Sequence, residues 1–388
     1  MYGHSNEAVN TYAVNLLLRG SLHVTKEGNR LHRITIAQVA AKAGVSTATV
    51  SRALSGARPV SDEIRRRVDA AARELGYSGN TIASALRRSR TDTVGMVVPS
   101  IANPFFTSLV ESVEHVLQAE GRQLFLCDSR QDTSVEEGHL RSLAARQVDG
   151  IIISPCHGTR STPAVEAAAA AIPLVQLDRH VAGTNTDWVG VDDHESMRLL
   201  LEHLHGTGAR SAAFISSTLT NSSTELRLAG FRLQTQRLAM RTRPDWILLG
   251  EYSVDWGRRA TAVLLGDADL PEAIVCADDL IALGALRACR DHGVDVPGDI
   301  RITGYDDIDF AALFEPALTT ISQPRDRIAA EAVRLLATAA QGGAAAAHIA
   351  LAPSLVVRQS TGAGGQTGPQ PMSSRSEPGE HQESSSRP

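Results

Sequence analysis

No run of about 18 consecutive apolar residues occurs in the 388-residue chain, so nothing in it has the length of a membrane-spanning helix. The opening stretch MYGHSNEAVNTYAVNLLLRG lacks a basic segment followed by a long apolar one. That argues against a secretory leader and for the cytoplasm. Cysteine is sparse: Cys127, Cys156, Cys276 and Cys289 stand far apart with no C-x-x-C pair, and free buried thiols are expected rather than disulfides. His203 and His205 form an H-x-H, yet no further Cys, His or carboxylate cluster completes a ligand set. No metal is expected, and the pair reads as a solvated helix end. A glycine-rich phosphate loop and a nucleophile elbow are also missing. An enzyme or a cofactor-dependent protein is therefore disfavoured.

What is present is unevenly charged. The chain is long enough for two or three domains. Its net charge is -5, but Arg33 to Arg90 hold eleven Lys/Arg against four acids, a balance of +7 that leaves -12 elsewhere. A small basic module is joined to a larger acidic one, and the basic part suits an anionic partner.

Within the basic module, Thr35 and Gln38 make a capping-box pattern ahead of Val39, Ala40 and Ala43, and Gly44 ends a helix from about Ile36 to Ala43. Ser46 is the next N-cap, so a second helix runs from Thr47 to about Ser55 after a three-residue turn. A third begins after Ser61, with Asp62 and Glu63 in its first turn, apolar positions Ile64, Val68, Ala71 and Leu75, and a stop at Gly76. Two short helices joined this tightly make a helix-turn-helix, and three share a small core.

Val50, Ala53 and Leu54 of the second helix are expected to face that core, which turns Thr47, Ala48, Ser51, Arg52 and Ser55 outward. Such a face is either merely solvated or built to approach a groove. Short side chains permit close approach, Arg52 can pair bidentately with guanine, and a Thr methyl or Ala can touch a thymine methyl. Further on, NTIASALRRSR has an N-cap in Asn80 and an apolar side of Ile82, Ala83 and Leu86, but two turns of helix do not persist alone in water. Either it is a basic linker, or two copies pair, press Leu86 between base pairs from the minor groove, and bring Arg87, Arg88 and Arg90 to phosphates.

The runs ITIAQVAAKAGVSTATVSRALSG, VSDEIRRRVDAAARELGY and NTIASALRR resemble the headpiece and hinge of the lactose-repressor and galactose-repressor family of bacterial transcription regulators. The similarity continues to about Gly362. It implies that Thr47, Ala48 and Arg52 lie at base edges and that Leu86 is the intercalating hinge leucine. The chain departs from many members in carrying Ser78 and Gly79 where a proline precedes the hinge asparagine.

From Thr93 short apolar runs (VGMVVPS, RQLFLCDS, DGIIISP, IPLVQLD, DWVGVDD, SAAFISS, EAIVCAD, DIRITGYDD) alternate with stretches of helical length. That pattern predicts parallel sheets covered on both faces, in a region long enough for two lobes. Ligands on such sheets bind beyond the carboxyl ends of the strands. Those ends are polar here: Asp128 and Ser129, Ser154, Asp178 and Arg179, Asp278 and Asp279, Asp306 and Asp307. Any one could be a helix cap; together they suit the rim of a cleft for a neutral polyhydroxyl ligand such as a sugar.

The resemblance implies a two-lobed, periplasmic-binding-protein-like effector domain. It puts Phe105 and Phe106 at the first cleft loop, Asp178 at a ligand hydroxyl, Arg227 as the effector clamp, Tyr252 as a wall aromatic, Asp278 and Asp306 facing the effector, and Gln323 near the crossover between lobes. Asp278 stands where some members carry asparagine.

The expected organisation is an N-terminal extension at 1-32, a helix-turn-helix domain at 33-77, a hinge helix and linker at 78-92, a two-lobed effector and dimerisation domain at 93-361 and a disordered tail at 362-388. The tail lacks leucine heptads, so a homodimer is expected rather than a coiled-coil tetramer. The function expected is a repressor that binds a pseudo-palindromic operator under control of a small polar ligand. The rivals are a solute-binding sensor without a transcriptional role, an enzyme on the same scaffold, and a sugar kinase with a fused DNA-binding domain.

Overall fold

A computed structural model describes residues 34–55, 59–77, 90–342 and 346–362. The chain divides between Arg87 and Arg88 into two compact units.

In the first unit, α1 (Ile36–Ala43), α2 (Thr47–Ser55) and α3 (Asp62–Leu75) lie at the bounds expected from their caps. Thr35 and Gln38 form the reciprocal capping box, Ser46 Oγ accepts from Thr49 N, and Gly44 and Gly76 close α1 and α3 in the left-handed conformation. Arg67 reaches across from α3 to the carbonyl of Ala43 at 2.6 Å, and Lys42 pairs with Glu74. These two bonds fix α1 against α3. The core consists of Val39, Ala40, Ala43, Val50, Ala53, Val68, Ala71 and Ala72. Leu54, expected in this core, is 41% exposed: on α2 the buried stripe is Val50 and Ala53, and Leu54 lies at its edge. The expected hinge helix, with Leu86, Arg87 and Arg88, lies outside the described residues. Arg90, expected at a phosphate, is largely exposed and lies 3.7 Å from Asp149 and 4.0 Å from Asp92.

The second unit has two lobes. The first is a six-stranded parallel sheet, in spatial order β11-β5-β4-β3-β1-β2, of β1 (Thr93–Val98), β2 (Gln123–Asp128), β3 (Gly150–Ile153), β4 (Leu174–Leu177), β5 (Asp187–Val191) and β11 (His348–Leu351). Helices α4 (Pro104–Ala119) and α11 (Arg325–Ala339) cover one face, and α5 (Thr133–Ala145) and α6 (Thr162–Ala171) the other. The second lobe is a four-stranded parallel sheet, order β7-β6-β8-β9, of β6 (Ala212–Ser217), β7 (Ile247–Gly250), β8 (Ala273–Cys276) and β9 (Arg301–Thr303). Here α7 (Asp193–Gly206) and α8 (Ser222–Arg237) lie on one face, and α9 (Val254–Leu265) and α10 (Asp279–Asp291) on the other. A small antiparallel pair, β10 (Thr320–Ser322) with β12 (Ser354–Val356), adjoins this lobe.

The chain passes between the lobes three times: from β5 to α7, from β10 to α11, and from β11 to β12. All eight apolar runs contain strands. The outermost run is not enclosed, however: β2 is an edge strand that leaves Phe125 and Leu126 exposed. All four cysteines are free and buried, as expected. His203 is not a solvated helix end, because its Nε2 lies 2.8 Å from Thr361 Oγ1 and burial lowers its pKa.

Candidate functional site

On α2 the structure exposes Thr47, Ala48 and Arg52 and half-buries Ser51, so the four share the face turned away from the core. Arg52 lies back along its own helix, with Nε donating to the Ala48 carbonyl at 3.2 Å and Nη2 to Thr49 Oγ1 at 3.4 Å. These bonds hold the long side chain over the small residues. The face is short, polar and free of bulk, as entry into a major groove requires.

In the second unit, Asp178, Arg179, Tyr252, Asp278, Asp306 and Gln323, which follow the carboxyl ends of strands, meet Arg227 of α8 between the lobes. Arg179, just past β4, sits between two aromatic rings, 5.4 Å from the centroid of Phe106 in its own lobe and 5.4 Å from that of Tyr252 in the other. Its Nε is 3.8 Å from Asp178 Oδ2. Two backbone contacts join the lobes nearby: Gly158 N donates to the Thr220 carbonyl at 2.7 Å, and His180 N to Ser222 Oγ at 2.9 Å.

Arg227 is 4% exposed. Its Nε donates to Asp193 Oδ1 at 2.8 Å, its Nη1 donates to the Ala277 carbonyl at 2.7 Å, and its guanidinium stacks 3.5 Å above the Tyr305 ring. Tyr305 Oη in turn donates to Asp193 Oδ1 at 2.7 Å and lies 2.7 Å from Ser196 Oγ. Asp278 caps α10 through Oδ1, which accepts from Ile281 N at 2.8 Å. Gln323 Nε2 donates to Asp306 Oδ1 at 2.7 Å.

Several buried acceptors in the cluster have no hydrogen-bond partner among the described residues: Asp178 Oδ1, Asp278 Oδ2 and Gln323 Oε1; the Ser154 and Ser223 hydroxyls are buried and unpartnered as well. A buried polar atom without a partner is costly, and these three acceptors lie where the lobes face each other. Asp178 and Asp306 are also held at φ 62° and 105°, backbone that non-glycine residues seldom adopt and that concentrates at binding sites. Burial pushes Asp178 up to about 6, against the pull of Arg179 and Arg227. It pushes Asp278 up to about 6 as well, against its bond from Ile281 N and the same two arginines. Asp306 rises well above the ordinary carboxylate range by burial, again opposed by Arg227.

Two expected rim residues are placed differently. Phe105 packs edge-on against Phe106, 5.2 Å between centroids, inside the core of the first lobe. Asp128 spends Oδ1 on the amide of Arg130 at 2.9 Å, and its carbonyl lies 3.2 Å from His139 Nε2. Sequence reasoning missed Asp193 and Tyr305, the partners of Arg227. A signal existed in each case: Asp193 follows a strand in DWVGVDD, and Tyr305 precedes Asp306 in GYDD. Among the described residues no cluster of three or more His, Cys, Asp or Glu is arranged to hold a metal, and no helix is long and apolar enough to cross a membrane.

Comparison with known proteins agrees with both units. Residues 35–80 match the model of bacterial regulatory proteins of the lacI family, and residues 201–361 that of a periplasmic binding protein-like domain. The HTH-type transcriptional repressor PurR of Histophilus somni (strain 129Pt) is 32% identical over 327 residues, covering 84% of this chain and 98% of the relative. PurR of Pasteurella multocida (strain Pm70) is 33% identical over the same shares. Among solved structures, the Lac repressor dimer bound to operator and the anti-inducer ONPF superposes with a TM-score of 0.78 at 30% identity, over 84% of this chain and 99% of that one. The transcriptional regulator CelR in complex with cellobiose gives 0.65 at 31% identity, over 84% and 100%. With a helix-turn-helix at its N-terminal side and a two-lobed sensor behind it, the chain belongs to the lacI family of bacterial regulatory proteins and is a DNA-binding transcriptional regulator, not an enzyme.

Proposed function

We propose that the protein acts in the cytoplasm as a homodimeric repressor of a pseudo-palindromic operator, controlled by a small polyhydroxyl ligand, a sugar, taken up between the two lobes. Thr47, Ala48, Ser51 and Arg52 read base edges. Leu86, Arg87 and Arg88 enter the minor groove and reach phosphates at the operator centre.

The observation that carries the ligand class is the set of buried oxygens without donors: Asp178 Oδ1, Asp278 Oδ2 and Gln323 Oε1. All three only accept, and hydroxyl groups are donors. Arg179 between Phe106 and Tyr252 adds an apolar wall with one cationic fork, the balance found where sugars are bound. Asp278 leaves an acceptor-only group where asparagine would offer a donor too, and so favours a ligand hydroxyl over a ligand carbonyl at that point. The ligand acts through its different affinity for two arrangements of the lobes, and through them for two spacings of the paired headpieces.

The test is a thermal-shift screen of the purified chain against sugars and nucleosides, followed by a binding assay on the DNA upstream of its own gene with and without each hit. Stabilisation by a sugar together with altered affinity for that duplex is expected. Stabilisation only by nucleosides would replace the ligand class, and ligand binding with no duplex bound at low salt would leave a sensor without a transcriptional role.

A further inference from the structure

The buried stripe of α5 is Glu136, Leu140 and Leu143, spaced i, i+4, i+7. Two of these are core leucines; the third is a glutamate with no exposed surface. A carboxyl group at a core position of an amphipathic helix is costly unless it has a specific bond to make. Glu136 makes one. Its Oε2 accepts from Cys156 N at 2.7 Å, just past β3, and its Oε1 has no hydrogen-bond partner among the described residues. The Cys156 thiol lies next to it, and burial together with Glu136 pushes that thiol up to about 12, so it stays protonated.

The loop that begins there is tied into one shape. Ser161 Oγ accepts from His157 N at 3.2 Å, and His157 Nδ1 accepts from Thr159 N at 3.3 Å and Arg160 N at 3.2 Å. Arg160 Nη2 donates to Thr133 Oγ1 at 3.1 Å, a second tie to α5. At its tip Gly158 N donates to the Thr220 carbonyl of the other lobe at 2.7 Å. At its root Ser154 N donates to the Val97 carbonyl at 2.9 Å, which ties that end of the loop to β1.

From this placement we infer that Glu136 is a positioning residue of the cleft: its carboxylate fixes the loop that follows β3 so that Gly158 can latch onto Thr220 of the other lobe. The inference deepens the ligand-binding reading above and names the element through which one lobe holds the other. Glu136 itself touches no ligand. It sets the shape of the loop, and the loop carries a lobe-to-lobe bond.

Hydrogen exchange on the full-length chain tests it without any effector. Glu136→Leu restores an apolar stripe on α5 and removes the acceptor; Glu136→Gln keeps an acceptor oxygen at the same reach. In E136L the amides of Cys156 and Gly158 should exchange about tenfold faster or more, while core amides of β1 keep the wild-type rate. E136Q should return both loop amides towards wild type, a rescue that mere filling of the core would not give. Glu136→Asp, with its acceptor withdrawn by one methylene, should match E136L and serves in its place if E136L does not fold. Wild-type exchange at Gly158 in E136L or E136D, or equal acceleration of loop and β1 amides, would overturn the inference. A cleft that binds no sugar or nucleoside in the thermal-shift screen would defeat the ligand reading while leaving the exchange result as it stands.

Discussion

Arg227 has much of its hydrogen-bonding capacity committed inside the protein, to Asp193 and the Ala277 carbonyl, with Tyr305 beneath it. Removing it leaves the Asp193 carboxylate buried and uncompensated. Arg227→Ala should therefore destabilise the effector module by about 3 to 5 kcal/mol, read by chemical denaturation. A change under about 1 kcal/mol would mean that Asp193 is hydrated in solution. Asp278 offers a prediction in pH. Its folded pKa is raised to about 6, so the folded state holds the proton more tightly than the unfolded one. The stability this gives is present below the unfolded value and is lost as pH rises through about 6. Asp278→Asn keeps the cap oxygen and removes the titration. It should flatten the fall in melting temperature between about pH 4 and 7 and stabilise the protein at about pH 7.5 by something of the order of 2 kcal/mol. An undiminished pH slope in the variant would assign the effect to other carboxylates. On α2, Arg52→Ala should cost about 1 to 3 kcal/mol per half-site and relax preference at one base pair. Equal losses on operator and random DNA would remove its base-reading role.

Among the elements, α9 and α10 show how closely backbones can be brought together. A Cβ on Gly257 would lie 2.1 Å from the Ile281 carbonyl oxygen, and one on Gly284 would lie 2.1 Å from that of Val254. Backbone is met on both sides, so no side chain can move aside. Gly284→Ala should part the helices and cost about 1 to 3 kcal/mol, measurable as a lowered melting temperature. This pair carries no mark in the sequence, where an isolated glycine in a helix looks like a weakness. The headpiece helices were legible to the residue because Thr35, Ser46, Ser61, Gly44 and Gly76 act on their nearest neighbours in the chain. The strands β7, β10, β11 and β12 were not. Strands β3, β4, β8 and β9 are as short but lie in apolar runs that end in polar residues. By contrast, β10 and β12 hold polar residues and pair, among the strands, only with each other, and β11 pairs with β5, distant in the chain. The strand ends named the cleft's acidic residues for the same local reason: a polar residue after an apolar run is visible. Asp193 and Tyr305 carry the same kind of local mark, but their pairing with Arg227 is decided by the fold. Leu54 was misplaced because it lies at the edge of the buried stripe, where helical spacing alone does not decide burial.

At the scale of the molecule, a basic headpiece and an acidic sensor divide the work of attraction and control. Non-specific DNA affinity should fall steeply with salt, in proportion to the phosphates neutralised. Arg88→Ala should weaken operator and random duplex alike and lower the salt slope by about 1 per subunit, measured by titration across ionic strengths. A loss confined to the operator would instead make Arg88 a base reader.

The three passages of the chain between the lobes bear on how such a protein can be cut and inherited. The first lobe takes α11 and β11 from beyond the second, and the second takes β12 from beyond both. No contiguous fragment contains one whole lobe without part of the other, so a gene truncated near residue 322 yields two incomplete halves rather than one working module. Recombination can exchange the headpiece as a unit, but it must exchange the sensor entire.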